Sequence, residues 1–194
     1  MTLFSKYNLN EVLNKSLKSI NLTTPTPIQE KSIPLILQGK DILGSAQTGT
    51  GKTAAFCIPI LELLMKSSRG SLLIMIPTRE LAKQVLDVIN SLLGFKSSIN
   101  TATLIGGESM SKQLSQLKKR PRIYVGTPGR INDHLQRGYL NLHDAKYLVL
   151  DETDRMLDMG FEVQINKIIK YLPVSKQVLM FSATIPNNIL KLSS

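Results

Sequence analysis

Short runs rich in β-branched residues and leucine alternate along the chain with longer segments whose apolar residues recur every three or four positions, the two periods that separate strands from amphipathic helices. The short runs predict strands over 41–46, 71–77, 100–105, 122–126, 146–151 and 177–182. Several of them lack polar alternation, as strands buried on both faces do. The longer period predicts helices over 52–66, 79–93, 111–118, 128–136 and 161–172. Pro128 suits a first helical turn and Gly94 a helix end. Ahead of the first strand stands a helical preface, 9–20 and 28–37, joined by the proline-punctuated TTPTPIQ. This order predicts an α/β fold, a mostly parallel sheet with helices on both faces, and ligands bound beyond the carboxyl ends of the strands. Chemistry is therefore expected in the loops that follow strands.

Composition narrows the class. The 194 residues carry 24 Lys and Arg against 14 Asp and Glu, a net charge of +10, with 42% hydrophobic residues. That balance and size fit one globular domain rather than a disordered chain. The positive charge agrees with a polyanionic partner, although it serves solubility equally well. Apolar runs such as 72–76 fall far short of the ~20 residues a membrane span needs. The amino end meets Asn8, Asn10 and Glu11 before any apolar core, unlike a secretory signal. Few residues follow the last strand, so no second domain is expected within the chain. The single cysteine, Cys57, cannot close an internal disulfide. It reads as a small buried side chain and fits a reducing, cytoplasmic setting.

The loop after the first strand is AQTGTGKT, residues 46–53, and it opens a helical pattern. Strand, glycine loop and helix together are the context of a phosphate loop. Gly49 and Gly51 let the backbone curl so that N–H groups face phosphate oxygens, and the helix adds its positive end. In that pattern Lys52 reaches the β and γ phosphates and Thr53 holds Mg²⁺; Ala46 stands where the strict pattern has Gly. Such a loop needs a distant carboxylate at the end of a neighbouring apolar strand. KYLVLDETD supplies Asp151 for the metal and Glu152 beside it, placed to orient or deprotonate an attacking water.

With these two motifs come TPTPIQ at 24–29, PTRELAKQ at 77–84, Gly106 with Gly107, TPGR at 127–130 and SAT at 182–184. In this order they resemble the DEAD-box RNA helicases, specifically their amino-terminal RecA-like domain, across nearly the whole chain. The resemblance implies one RecA-like ATP-binding unit over 1–194, with its adenine-recognising region in 1–40. It implies that Gln29 reads adenine and so selects ATP, that Phe4 stacks on the base, and that Ala46, Gln47, Thr48, Gly49, Thr50, Gly51, Lys52 and Thr53 cradle the phosphates. Lys52, Asp151 and Glu152 are then the catalytic residues, with Mg²⁺ on Thr53 and Asp151. Pro77, Thr78, Arg79, Gly106, Gly107, Thr127, Pro128, Gly129 and Arg130 are the implied RNA-backbone contacts; the planar forks of Arg79 and Arg130 suit phosphates. Asp154, Ser182, Ala183 and Thr184 are implied to couple hydrolysis to strand separation.

Two positions depart from the family pattern. Asn21 stands where Gly is usual, which leaves the local turn open, and Thr153 replaces Ala in the acidic motif, where packing against SAT is open to change. The family also needs arginines from a second RecA-like domain, absent from this chain. The chain alone is therefore expected to bind nucleotide and hydrolyse it poorly. A truncated ATP- and RNA-binding module without turnover stands as the alternative, and a DNA helicase as a minor one, since phosphate contacts do not distinguish sugars. KKRPR at 118–122 reads as a solvated turn, with a nuclear signal or an added RNA contact as alternatives. His134 and His143 lack metal-ligand spacing and receive no role.

Overall fold

The computed structural model describes residues 3–45, 47, 49–94 and 97–184; Ala46 and Thr48 of the phosphate loop lie outside them. After a 3-10 turn at Phe4–Tyr7 come α1 (Glu11–Ser19) and α2 (Pro27–Leu37). The alternating part follows: β1 (Ile42–Ser45), α3 (Lys52–Lys66), β2 (Ser71–Met75), α4 (Arg79–Leu93), β3 (Thr101–Leu104), α5 (Met110–Lys118) and β4 (Ile123–Gly126). It ends with α6 (Pro128–Gln136), β5 (Ala145–Asp151), α7 (Thr153–Asp158), α8 (Glu162–Ile169) and β6 (Gln177–Ser182).

The six strands form one sheet in the order β1-β6-β5-β2-β4-β3, and every pairing is parallel. Strand periodicity divides the core in two. Leu72 and Ile74 pack with Ile33, Phe56, Ile60, Ile89 and Phe181 on one face, under α1 to α4. Leu73 and Met75 pack with Ile131, Leu148, Met156, Ile165 and Met180 on the other, under α6 to α8. A central strand buried at every position, as β2 is, therefore reads as a continuous apolar run. Cys57 is fully buried and free, and burial raises its thiol pKa, with Asp151 adding to the rise.

Asn21 adopts φ 55°, the left-handed conformation that Gly favours and Asn tolerates. Leu22 N–H bonds Leu17 C=O at 2.9 Å and Asn21 N–H bonds Lys18 C=O at 3.1 Å, the paired closure of a Schellman helix end. The turn is thus a glycine-type turn built without glycine. The helix expected over 161–172 is shorter, Glu162–Ile169, and the acidic motif itself begins the separate helix α7.

Helix α2 braces the β1–β6 side of the sheet. At its far end Gln177 Nε2, at the start of β6, donates to Ile36 C=O at 3.0 Å and Lys40 C=O at 2.6 Å. The basic run 118–122 makes a turn, with Arg120 at φ 50°. Arg122 points inward and donates to the carbonyls of Gly70, Leu64 and Arg69 at 2.9, 3.0 and 3.1 Å. It caps the carboxyl end of α3. Arg122→Met should lower the unfolding free energy by about 1–3 kcal/mol in a urea titration; an unchanged midpoint would show that this clamp contributes nothing.

Candidate functional site

Parallel register brings the expected motifs to one level. Ser45, the last residue of β1, pairs with Ser182, and Asp151 pairs with Phe181. Beyond them the loop turns through Gly49 at φ 82° and Gly51 at φ 88° into α3, whose first residues are Lys52 and Thr53. Thr50 Oγ1 closes the loop on Gln47 C=O at 2.8 Å. A Cβ on Gly51 would lie 2.5 Å from Gln29 Nε2 and 3.0 Å from Thr26 Oγ1, so both conformation and space require glycine there.

The start of α2 grips this loop. Gln29 Nε2 donates to Gly51 C=O at 3.1 Å and Thr26 Oγ1 to Thr50 C=O at 2.9 Å, while Gln29 Oε1 accepts from Thr26 N–H at 3.0 Å. Gln29 is 1% exposed; among the described residues its amide commits one of two protons and one of two oxygen lone pairs. Phe4 is buried. It is 4% exposed within the core and edge-on to Tyr7, ring centroids 6.2 Å apart, so its ring has to be uncovered before it can stack on a base. Lys6, two residues on, pairs with Glu30 at 3.3 Å, which keeps this terminal turn against α2.

Lys52 Nζ lies 3.6 Å from Asp151 Oδ1, and both side chains are buried. Burial raises the Asp151 pKa against the pull of the Lys52 ammonium, and Glu152 adds repulsion. Asp151 Oδ1 also accepts Glu152 N–H at 3.0 Å. Glu152 takes φ 53°, strained for a residue that is not Gly, Asn or Asp, and Arg155 Nη1 holds its carboxylate at 3.1 Å. The next residues tie the acidic motif to SAT. The Thr153 hydroxyl, fully buried, lies 3.2 Å from Leu150 C=O and 3.3 Å from Phe181 C=O, both acceptors. Asp154 N–H donates to Ser182 Oγ at 3.1 Å, and Asp154 Oδ2 accepts Thr184 N–H and Oγ1–H at 3.0 and 3.1 Å. Ala183 is exposed between them.

The other three strands carry a second cluster. Met75 and Leu104 both pair with Gly126, which levels the loops that follow β2, β3 and β4. Pro77 is buried; Thr78 Oγ1 caps α4 by accepting Leu81 N–H at 3.3 Å. Thr127 stands at the N-cap of α6 with Pro128 at its first position. Arg79 Nη1 donates to Gly106 C=O at 3.3 Å and Arg130 Nη1 to Glu108 C=O at 3.2 Å. A Cβ on Gly107, at φ 75°, would collide with the Arg79 guanidinium. Gly107 and Gly129 are exposed. Two helix amino ends and two guanidiniums with spare donors at one edge can bind consecutive anions. His134 belongs to no sequence motif. It is fully buried and bonded through Gln113 to Ile105, the residue before Gly106; its only signal is the inward face of α6 it shares with Ile131 and Leu135.

A profile of the DEAD/DEAH box helicase family matches residues 26–192. The ATP-dependent RNA helicase CshA of Listeria monocytogenes is 48% identical over 190 residues, which cover 97% of this chain and 36% of that protein. The DEAD-box ATP-dependent RNA helicase RhpA of Helicobacter pylori is 45% identical, covering 98% of this chain and 38% of its own length. A crystal structure of a DEAD box protein from the hyperthermophile Methanococcus jannaschii superposes with a TM-score of 0.93 at 43% identity, covering 100% of this chain and 53% of that one. The chain thus spans well under half of these curated relatives.

The Asp154 links have a pH consequence. Burial pushes its carboxyl pKa up, but Thr184 N–H, the Ser182 hydroxyl, Arg155 N–H and the Thr184 hydroxyl outweigh it and hold the pKa below the usual value. A depressed carboxyl stabilises the fold above its unfolded pKa and loses that contribution as pH falls through the folded one. Thermal midpoints should therefore drop below about pH 4, and Asp154→Asn should flatten this acid limb; an unaltered limb would mean that the links carry no stability.

Proposed function

Because the chain belongs to the DEAD/DEAH box helicase family, we propose that it is the amino-terminal RecA-like domain of an ATP-dependent RNA helicase, in which ATP hydrolysis is coupled to local unwinding of an RNA duplex. The observation that carries this reading is the division of one sheet edge. The phosphate loop, Asp151 and SAT follow β1, β5 and β6, while the three basic and glycine-bearing loops follow β2, β3 and β4. A nucleotide and a strand of phosphates then meet the same rigid sheet side by side.

In this reading the uncommitted amide groups of Gln29 read adenine, and the backbone from Gln47 to Gly51 cradles the phosphates, with Ala46 and Thr48 in the same loop. Lys52 exchanges its contact with Asp151 for the β and γ phosphates. Glu152, fixed by its left-handed backbone and Arg155, orients the attacking water and takes its proton. The acidic residue pattern Asp151, Glu152, Thr153, Asp154 is a working form of the family motif, because the Thr153 hydroxyl is satisfied by backbone carbonyls. A buried carboxylate facing one ammonium, with the Thr53 hydroxyl next in chain, fits a divalent ion, so Thr53 and Asp151 would hold Mg²⁺. Bound Mg²⁺ supplies charge neutralisation on the phosphate oxygens. Asp154, Ser182, Ala183 and Thr184 form the link through which loss of the γ phosphate is felt by the rest of the sheet.

Pro77, Thr78, Arg79, Gly106, Gly107, Thr127, Pro128, Gly129 and Arg130 hold the RNA backbone. No described helix is long and apolar enough to cross a membrane, and the free, buried Cys57 suits a cytoplasmic protein. Turnover needs a second RecA-like domain, whose arginines are worth about 10³ to 10⁵ in rate. The chain alone should bind ATP yet hydrolyse it no faster than Lys52→Ala or Glu152→Gln, with or without single-stranded RNA, in a steady-state assay. RNA-stimulated turnover abolished by both substitutions would refute the need for a second domain, and failure to bind ATP would refute the nucleotide site.

A further inference from the structure

A buried polar chain runs beneath the loops assigned to RNA. Gln113 in α5 and His134 in α6 are both fully buried. Gln113 Nε2 donates to Ile105 C=O at 2.7 Å, and Gln113 Oε1 lies 2.8 Å from His134 Nε2. A carbonyl only accepts, so the amide nitrogen has to face Ile105. The amide oxygen then faces the imidazole and requires a donor, which assigns His134 as the Nε2–H tautomer. Burial, with the Arg130 guanidinium nearby, depresses the His134 pKa and keeps the ring neutral.

What this chain connects gives it meaning. Ile105 directly precedes Gly106 and Gly107, and His134 lies about one helical turn after Arg130. The exposed bond from Arg79 to Gly106 and the part-buried bond from Arg130 to Glu108 are longer, at 3.3 and 3.2 Å. Apolar side chains in place of Gln113 and His134 would also fill the space between α5 and α6. Only directional bonds fix the distance and rotation of one loop relative to the other.

We propose that Gln113 and His134 are positioning residues for the RNA-backbone contact, setting the Gly106–Gly107 turn and the amino end of α6 at the spacing that lets both grip one strand. The proposal rests on the reading of this edge as RNA-binding. It predicts that Gln113→Met and His134→Phe weaken binding of this chain to a fluorescein-labelled single-stranded RNA about tenfold, the fold-change that loss of one hydrogen bond to a charged group produces. Binding of a fluorescent ATP analogue stays unchanged. The slope of log affinity against log salt becomes shallower, because fewer phosphates are engaged. His134→Gln, whose amide nitrogen reaches the position of Nε2, restores most of the affinity, and His134→Asn, which is too short, does not.

Folded Gln113→Met or His134→Phe with wild-type RNA affinity overturns the proposal. So does equal weakening of RNA and nucleotide binding, the mark of a general loss of structure. Should neither variant fold, equal RNA affinity of His134→Gln and His134→Asn overturns it, and a difference of about tenfold supports it. A wild-type chain that binds nucleotide but no RNA instead overturns the reading of the edge, and the proposal with it.

Discussion

All six strands point the same way, so each strand-to-helix connection empties onto a single edge of the sheet. Hydrogen-bond register then does the positioning. Ser45 is level with Ser182, Asp151 with Phe181, and Met75 and Leu104 with Gly126. Residues far apart in sequence reach one line without any loop having to be long. The strand order splits that line: β1, β6 and β5 present the phosphate loop and its carboxylates, whereas β2, β4 and β3 present the guanidiniums and exposed glycines. The seam is the β5–β2 pair, where Leu150 is level with Met75.

At the first half, burial decides the chemistry. Two opposite charges 3.6 Å apart and nearly out of water would each be costly alone, since an unpaired buried charge loses its hydration without compensation. Lys52 and Asp151 are thus held ready by each other. Burial raises the Asp151 pKa even with that ammonium present, so this carboxylate favours added positive charge beside it. The strained Glu152 backbone turns the chain at once into α7, and the first residues of that helix bond Phe181, Ser182 and Thr184. One rigid corner therefore joins the acid to the last strand.

Much of this was legible in the sequence, for identifiable reasons. Six strand regions and most helices followed from periodicity, because the central strands are covered on both faces and their interior residues are mostly apolar. Pro128 and Gly94 marked helix ends as their backbones dictate. The helix Thr153–Asp158 was missed because its six residues span too few turns to show a period, and it buries only Thr153 and Met156. Arg122 belongs to a basic run in the sequence, yet its guanidinium holds three carbonyls at the end of α3 and in the turn after it, contacts that no local pattern encodes. A lone histidine such as His134 has no sequence signature, and its partner Gln113 lies on another helix. The resemblance places Phe4 at the base, but a motif position carries no information about burial. Strand order, too, depends on crossovers that composition does not express.

Under the proposed function, one parallel edge carries two separate binding halves. Amide hydrogen exchange of the chain, measured with an ATP analogue and with single-stranded RNA in turn, tests it directly. Nucleotide protection is expected at 26–29, 49–53 and 151–154, RNA protection at 78–81, 106–108 and 127–131, with no overlap between the sets. RNA protection of the phosphate loop, or nucleotide protection of the Gly106–Gly107 turn at the strength of the direct ligand, would contradict it.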